Sequence, residues 1–193
     1  TISRKCWQRL IILKGADMLS NQQIDYAWSK ARDHLEDSEW FGINPEIEIN
    51  GISPIEYQAV FDYIMSKTSI WHNEKDYIWD NIEEREVKLS SIENPVDWIV
   101  SGRGQSVSFT LNPFNFNGVQ MPDMGLFLLG ESDLSIIYVL GPDWNREQLG
   151  AFLEFILTLS KIAPSATIRH EESQIMCKPF NDIWNHLTAA SLE

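Results

Sequence analysis

The fold is decided by the stretch Met124-Gly-Leu-Phe-Leu-Leu-Gly130 and Leu134-Ser-Ile-Ile-Tyr-Val-Leu140, two apolar runs separated only by Glu131-Ser-Asp133. Two short apolar runs with a tight polar connection predict a β-hairpin. Both runs are nearly continuous in large apolar residues instead of alternating with polar ones. We therefore expect this hairpin to lie at the centre of a sheet that is covered on much of both faces.

A helix is predicted directly after this hairpin. Gly141-Pro-Asp143 ends the second strand, Asn145 is a suitable N-cap, and Gln148 follows at the capping-box position. Large apolar residues then recur at helical spacing, namely Leu149, Phe152, Leu153, Ile156 and Leu159, with Leu157 and Ile162 widening the face. Each such side chain contributes about 1.5 to 3 kcal/mol when buried, so this helix is predicted to be the main cover of the sheet.

Three more strands and a final helix are predicted in the second half of the chain. With the hairpin, the strands lie near 105–111, 124–130, 134–140, 166–170 and 174–177. The final helix carries Phe180, Ile183, Trp184 and Leu187 on its apolar face. The segment 112–122 is rich in Asn and Pro, which predicts a loop that exposes Phe114 and Phe116.

The first half of the chain is predicted to be rich in helix. Capping-box patterns begin one helix at Ser20, running from about 21 to 37, and another at Ser53-Pro54. A third helix is predicted from about Ile70 to Glu86, and a helical turn runs from Asn94 to Gly102. Residues 46–50 alternate like a half-exposed strand, and residues 3–15 are compatible with either a helix or a strand.

Strands and helices in separate stretches predict an α+β fold with a mostly antiparallel sheet. We expect residues 1–193 to form a single domain, in which an α-rich half, 1–102, precedes a βββ-α-ββ-α core, 103–193. The element order and the acidity of the chain resemble the small acidic chaperones of bacterial secretion systems, which share a helix-and-twisted-sheet plan. That resemblance implies a homodimer with an exposed apolar groove for an extended client.

The formal net charge of −13 restricts the partners that the chain is expected to bind. It argues against nucleic-acid backbones and anionic membranes and favours a basic protein. The basic segment 3–15 would suit an anionic membrane surface, but docking against the acidic body is the favoured interpretation. Two cysteines, no apolar run of about 20 residues and no apolar secretory segment at the start predict a cytoplasmic protein without a disulfide framework.

The third predicted helix carries the candidate binding site. On a helix, Asp76, Asp80 and Glu84 stack at i, i+4 and i+8, with Glu83 beside them. Like charges at this spacing repel, so the face is either a tolerated, solvated one or a docking surface for a basic protein. Trp79 lies off the apolar face, and an exposed Trp beside carboxylates is typical of a protein interface. These five residues are the predicted partner-binding set.

The sequence predicts no catalytic residue, metal ligand or cofactor. His170-Glu-Glu172 at a strand end has the chemistry of a ligand or a base, but metal sites usually show tighter ligand spacing. The leading hypothesis is a non-enzymatic binding module, such as a bacterial immunity protein that neutralises a toxin. The alternatives are a secretion-type chaperone and a small hydrolase or transferase with a site near His170 and Cys177.

Overall fold

The computed structural model describes residues 18–36, 44–70, 77–171 and 176–189. These residues form five helices: α1 (Asn21–Leu35), α2 (Pro54–Met65), α3 (Pro95–Val100), α4 (Arg146–Ile162) and α5 (Cys177–Ala189). They also form nine strands: β1 (Glu46–Asn50), β2 (Thr68–Ile70), β3 (Tyr77–Asp80), β4 (Arg85–Lys88), β5 (Val107–Phe116), β6 (Val119–Gln120), β7 (Met124–Gly130), β8 (Asp133–Tyr138) and β9 (Thr167–His170).

Seven of these strands form one antiparallel sheet, which confirms the predicted α+β fold. The strand order is β2-β5-β7-β8-β1-β9, and β6 pairs with β5. The predicted central hairpin is formed by β7 and β8, with Gly125 opposite Ile137 and Phe127 opposite Ser135. Strand β1 lies between β8 and β9, so the sheet combines strands from both halves of the chain.

Helix α4 lies at the centre of the core. It begins as predicted, because Asn145 Oδ1 accepts a hydrogen bond from the Gln148 backbone N–H at 3.0 Å. Ten of its 17 residues are buried, so the helix is covered on more than the side that faces the sheet. Phe155 contacts Phe114 of β5, with ring centroids 4.9 Å apart. Gly150 leaves room for α1, since a Cβ at that position would lie 3.1 Å from Ile24 Cδ1.

The two faces of the sheet are covered unequally. Along β7, Leu126 and Leu128 are fully buried, whereas Phe127 between them is only partly buried and Leu129 is 42% exposed. From the nearly continuous apolar runs we expected both faces of the sheet to be largely covered. The face that carries Phe127 and Leu129 is less covered than this prediction. Strands β1, β5 and β9 repeat the same alternation.

The capping signals in the first half are confirmed. Ser20 with Gln23 and Ser53 with Glu56 each form the predicted capping box, at the starts of α1 and α2. Strand β1 and helix α3 also form where they were predicted. Residues 3–15 lie outside the described residues, so the prediction for that segment has no structural counterpart here.

The predicted helix from 70 to 86 is wrong. Strands β3 and β4 form a hairpin in this region, with Tyr77 opposite Lys88 and Trp79 opposite Glu86. Burial alternates along β3 with a period of two residues, which a helix would not produce. Asp76 belongs to residues 71–76, which lie outside the described residues.

Two other predictions in the second half are also corrected. The expected loop at 112–122 is largely strand, and Phe114 and Phe116 are 1% and 2% exposed because both rings contact Phe155. The expected strand at 174–177 is not supported at its end, because Cys177 begins α5. Residues 172–175 lie outside the described residues.

Candidate functional site

The predicted partner-binding residues that the structure describes belong to the β3–β4 hairpin and its turn. Directly opposed residues of an antiparallel pair share a face. Trp79 and Glu86 therefore share the outer face of the hairpin, and Ile78 and Val87 share the inner face. Ile78 is 2% exposed, whereas Trp79 is 38% exposed.

Sequence reasoning missed two large exposed residues beside Trp79. Tyr77 is 44% exposed on the outer face of β3, and Ile82 is 70% exposed in the turn. The signal that would have found Tyr77 is the two-residue alternation of Tyr77 to Asp80, because it places every second side chain outward. We use the name hairpin surface for Tyr77, Trp79 and Ile82 together with the exposed carboxylates of Glu83, Glu84 and Glu86.

Asp80 is buried and anchors the hairpin to the body. Its Oδ2 accepts hydrogen bonds from Arg103 Nε at 3.1 Å and from Arg103 Nη2 at 2.7 Å. Its Oδ1 accepts from the backbone N–H groups of Ile82 and Glu83, at 3.0 and 3.2 Å. The hydrogen bonds from Arg103 hold the pKa of Asp80 at about 2, below its ordinary value of 3.8. The expectation that Asp80 is exposed beside the other acids is therefore wrong.

Residues 98–105 complete the anchor. The Arg103 guanidinium lies over the Trp98 ring, with its central carbon 4.1 Å from the ring centroid. Asn81 N–H donates to Arg103 O at 2.7 Å, and Gln105 N–H donates to Trp79 O at 3.1 Å. The hairpin is thus held by its inner side and backbone, whereas Tyr77 and Trp79 on its outer face are exposed.

The exposed charges of the hairpin are mixed instead of uniformly acidic. The carboxylates of Glu83, Glu84 and Glu86 stand against the cations of Arg85 and Lys88, so three negative and two positive charges leave a net charge of −1. Glu84 occupies the turn with a φ of 49°. The hairpin surface is therefore an aromatic and aliphatic patch with a mixed charged rim, as in the hot spots and rims of protein interfaces.

A cleft lies at a second place, where β7 begins and β8 ends. Its volume is about 500 Å³, and its lining includes Met121, Asp123, Leu140, Asp143, Trp144 and Gln148. A volume of this size is typical of small-molecule sites. Trp144 is held in the wall because its indole Nε1–H donates to Val139 O at 2.7 Å. The sequence offered no signal for this cleft, because its lining comes from separate segments of the chain.

Gln148 leaves an acceptor unsatisfied at this cleft. Its Nε2 donates to Gln120 O at 3.1 Å, which fixes the orientation of the amide. Its Oε1 is buried and has no hydrogen-bond partner among the residues that the structure describes. A buried acceptor without a donor costs about 1 to 3 kcal/mol.

His170 is fully buried, and both of its ring nitrogens are engaged. Nδ1 lies 3.1 Å from Glu171 O, which only accepts, so Nδ1 carries the proton. Nε2 then accepts from the Tyr138 hydroxyl at 3.0 Å. Burial lowers the pKa of His170 below its ordinary value, which keeps the ring neutral. This geometry favours a structural role for the ring.

Cys177 does not form a dyad with the His170 ring. Its Sγ lies 4.0 Å from the backbone oxygen of His170, and Asn181 Nδ2 donates to Sγ at 3.3 Å. A nucleophilic thiol needs a base within hydrogen-bond reach of the sulfur. The imidazole is already bonded to Tyr138 and to a backbone oxygen, so no free nitrogen of His170 is offered to the thiol.

Within the described ranges, no group of three or more His, Cys, Asp or Glu residues is placed to hold a metal ion. None of the helices in the described part of the chain is long and apolar enough to cross a membrane. The chain matches no protein-family model, no curated protein and no solved structure. The fold and these two surfaces are therefore the basis for a functional proposal.

Proposed function

We propose that this chain is a non-enzymatic binding module that neutralises a basic protein by direct contact, in the manner of a bacterial immunity protein. The observation that supports this proposal best is the hairpin surface. Tyr77, Trp79 and Ile82 expose large side chains on a hairpin whose inner side is anchored by Asp80 and Arg103. Exposed aromatic residues on a rigid element are typical hot spots of protein interfaces, because little ordering is required when the partner binds.

The net charge of the whole chain supports a basic partner more strongly than the charges of the hairpin do. The net charge of the chain is −13, whereas the exposed charges of Glu83, Glu84, Glu86, Arg85 and Lys88 sum to −1. Long-range attraction from the body would raise the association rate, and the aromatic contacts would set the dissociation rate. A toxin with a cationic substrate groove has the complementary charge. The proposal includes a cytoplasmic location, where such a toxin would be neutralised.

Capture from a lysate of the native host tests the proposal. The immobilised wild type is compared with the variants Trp79→Ala and Ile82→Ser. Ile55→Ser is the matched control, because Ile55 is 79% exposed on α2, away from the hairpin, while Ile82 is 70% exposed. We expect the wild type and the control to capture the same basic protein. Trp79→Ala should weaken its binding by about 2 kcal/mol, which is about thirtyfold in Kd.

A functional measurement must accompany capture. The captured protein is purified, its own activity is assayed, and the wild type is added in increasing amounts. We expect inhibition that is complete at one equivalent and is displaced to higher concentrations by Trp79→Ala. Equal capture and equal inhibition by the hairpin variants and by Ile55→Ser would reject the hairpin surface as the binding site. A partner whose activity is unaffected would reject neutralisation.

A further inference from the structure

The second face of the sheet carries large apolar side chains that are only partly buried. Phe127 lies opposite Ser135, and Ile137 lies opposite Gly125, so all four share this face with Leu129 at the next alternate position of β7. Phe127 and Ile137 are half-buried, and Leu129 is 42% exposed. A Cβ at Gly125 would meet no heavy atom closer than 3.5 Å, so this position has room for a side chain from another segment. We use the name second sheet face for this apolar surface and the β1 side chains beside it.

Strand β1 adds two carboxylates to the second sheet face. Glu46 lies opposite Ile137, and Glu48 lies opposite Ser135. Glu48 Oε2 accepts a hydrogen bond from Arg169 Nε at 2.6 Å, whereas the Glu46 carboxylate has no hydrogen bond or ion pair to any of the described residues. The face is therefore an apolar surface with an acidic border. Its complement is a segment that is both apolar and basic.

Residues 1–17 of this chain have that composition. They carry four bases and one acid, for a net charge of +3, whereas residues 18–193 have a net charge of −16. Their large apolar residues include Trp7 and the run Leu10-Ile-Ile-Leu13. Each of the other segments outside the described residues has a net negative charge, and these segments are 37–43, 71–76, 172–175 and 190–193. The complementary segment within the chain is thus 1–17.

This segment joins the described structure at a point from which it can reach the second sheet face. Leu19 N–H donates to Glu154 Oε1 at 2.9 Å, and Glu154 Oε2 accepts from Asn117 Nδ2 at 2.9 Å, so Leu19 lies near the turn between β5 and β6. Met18, which precedes it, is 74% exposed. Residues 1–17 span up to about 55 Å when extended. The six strands from β2 to β9 are together about 24 Å wide, so the segment is long enough to cross them.

We infer that residues 1–17 dock on the second sheet face of the same chain. The apolar side chains of the segment cover Phe127, Leu129 and Ile137, and its bases lie beside the carboxylate of Glu46. Docking then gives the central hairpin the cover on both faces that its nearly continuous apolar runs predict. The hairpin surface is formed by other strands, β3 and β4, so this inference does not depend on the proposed function.

Other pairings fit the charges less well. A second copy packed face to face would place two acidic faces against each other, and like charges repel. A separate basic protein would have to displace a segment of the same chain, and a short flexible tether gives that segment an effective concentration in the millimolar range. The hairpin surface is a poorer match for the segment than the second sheet face, because its exposed charges include the cations of Arg85 and Lys88.

Paramagnetic relaxation enhancement from Cys6 tests the inference in the 193-residue chain. The variant Cys177→Ser leaves Cys6 as the single thiol, and a nitroxide label is attached to it. We expect the ¹⁵N-amide signals of Phe127 and Ile137 to lose most of their intensity and to regain it when the label is reduced with ascorbate. Amides on the exposed side of α1, which packs on α4, should keep most of their intensity.

Two variants locate the contact on this face. Glu46→Gln should weaken the broadening of Phe127 and Ile137, because it removes the unpaired carboxylate that faces the bases of the segment. Glu147→Gln is the matched control, since it makes the same charge change at an exposed acid of α4 and should leave the broadening unchanged. Leu129→Ser should also weaken the broadening, because it removes an exposed apolar contact.

Three results would overturn the inference. The first is broadening that is absent from the second sheet face or is stronger at the Trp79 indole. The second is an equal effect of Glu46→Gln and Glu147→Gln. The third is equally strong broadening when labelled ¹⁴N chains are mixed with unlabelled ¹⁵N chains, because a second copy would then supply the segment.

Discussion

Replacing Gly104 with alanine tests whether the hairpin is packed against the body through Ile78. A Cβ at Gly104 would lie 2.5 Å from Ile78 Cδ1 and 3.3 Å from both Ile78 Cγ1 and Trp98 Cβ. Carbon atoms pack best about 3.5 to 4.0 Å apart, so the Ile78 tip must move by about 1 Å or more. Because Ile78 is 2% exposed, it has no open solvent to move into. Overpacking of this kind costs about 1 to 3 kcal/mol.

The assay is urea unfolding followed by tryptophan fluorescence, together with hydrogen exchange of the amides that join the hairpin to the body. The Asn81 and Gln105 N–H groups, which donate to Arg103 O and Trp79 O, should exchange faster in Gly104→Ala. Gly130→Ala is the matched control, because its added Cβ meets no heavy atom within 4 Å. That control should be unchanged or more stable by about 0.4 to 1 kcal/mol.

Equal unfolding free energies for Gly104→Ala and Gly130→Ala would refute this reasoning, because they would show that Ile78 does not occupy the space beside Gly104. The variant also bears on function. If the hairpin surface binds the partner, loosening its anchor should raise the Kd for that partner while the core of the protein stays folded. A destabilised variant with unchanged partner affinity would separate the packing of the hairpin from the binding that we propose.

Three further predictions concern the core and its titrating groups. Phe152→Ala should lower the free energy of unfolding by about 3 to 5 kcal/mol, because it removes a buried ring from the core. The centroid of this ring lies 5.1 Å from that of Tyr138. An unchanged urea midpoint would contradict this prediction. Because burial lowers the pKa of His170, its contribution to stability is present above pH 6.5 and is lost as the pH falls below that value; His170→Gln should flatten this dependence in urea titrations between pH 7.5 and 5. Asp80 has a pKa lowered from 3.8 to about 2, so its anchoring of the hairpin is present above pH 3.8 and is lost as the pH falls toward 2. Asp80→Asn should show fast hairpin exchange already at neutral pH, and no change relative to wild type would contradict the anchor.

The predictions that succeeded rest on signals within a few residues of each other. The capping boxes at Ser20 and Ser53 and the N-cap at Asn145 are local hydrogen bonds, so the sequence specifies them directly. The β7–β8 hairpin follows from two apolar runs and a short polar connection. A further local signal lies between β5 and β6. Asn117-Gly118, with φ of 51° and 84°, is a typical hairpin turn, and it joins β5 to β6 where a loop was expected.

The prediction of an acidic helix was wrong because residues 77–82 fit both the helical spacing and the two-residue alternation of a strand. Ile78 and Ile82 are four residues apart, which suits a helix, whereas the alternation of Tyr77, Ile78, Trp79 and Asp80 suits a strand. The choice depends on partners that are distant in sequence. Asp80 is satisfied by Arg103, 23 residues later, and Ile78 packs beside Gly104.

The sequence by itself determined the α+β class, the central hairpin and the helix that covers it, because local hydrogen bonds and apolar periodicity depend on neighbouring residues. Only the tertiary structure decided which polar groups are exposed. It buried Asp80 and His170 and brought Asp123 and Asp143 to one cleft. These outcomes depend on packing between segments that lie far apart in the chain, and no local pattern in the sequence records that packing.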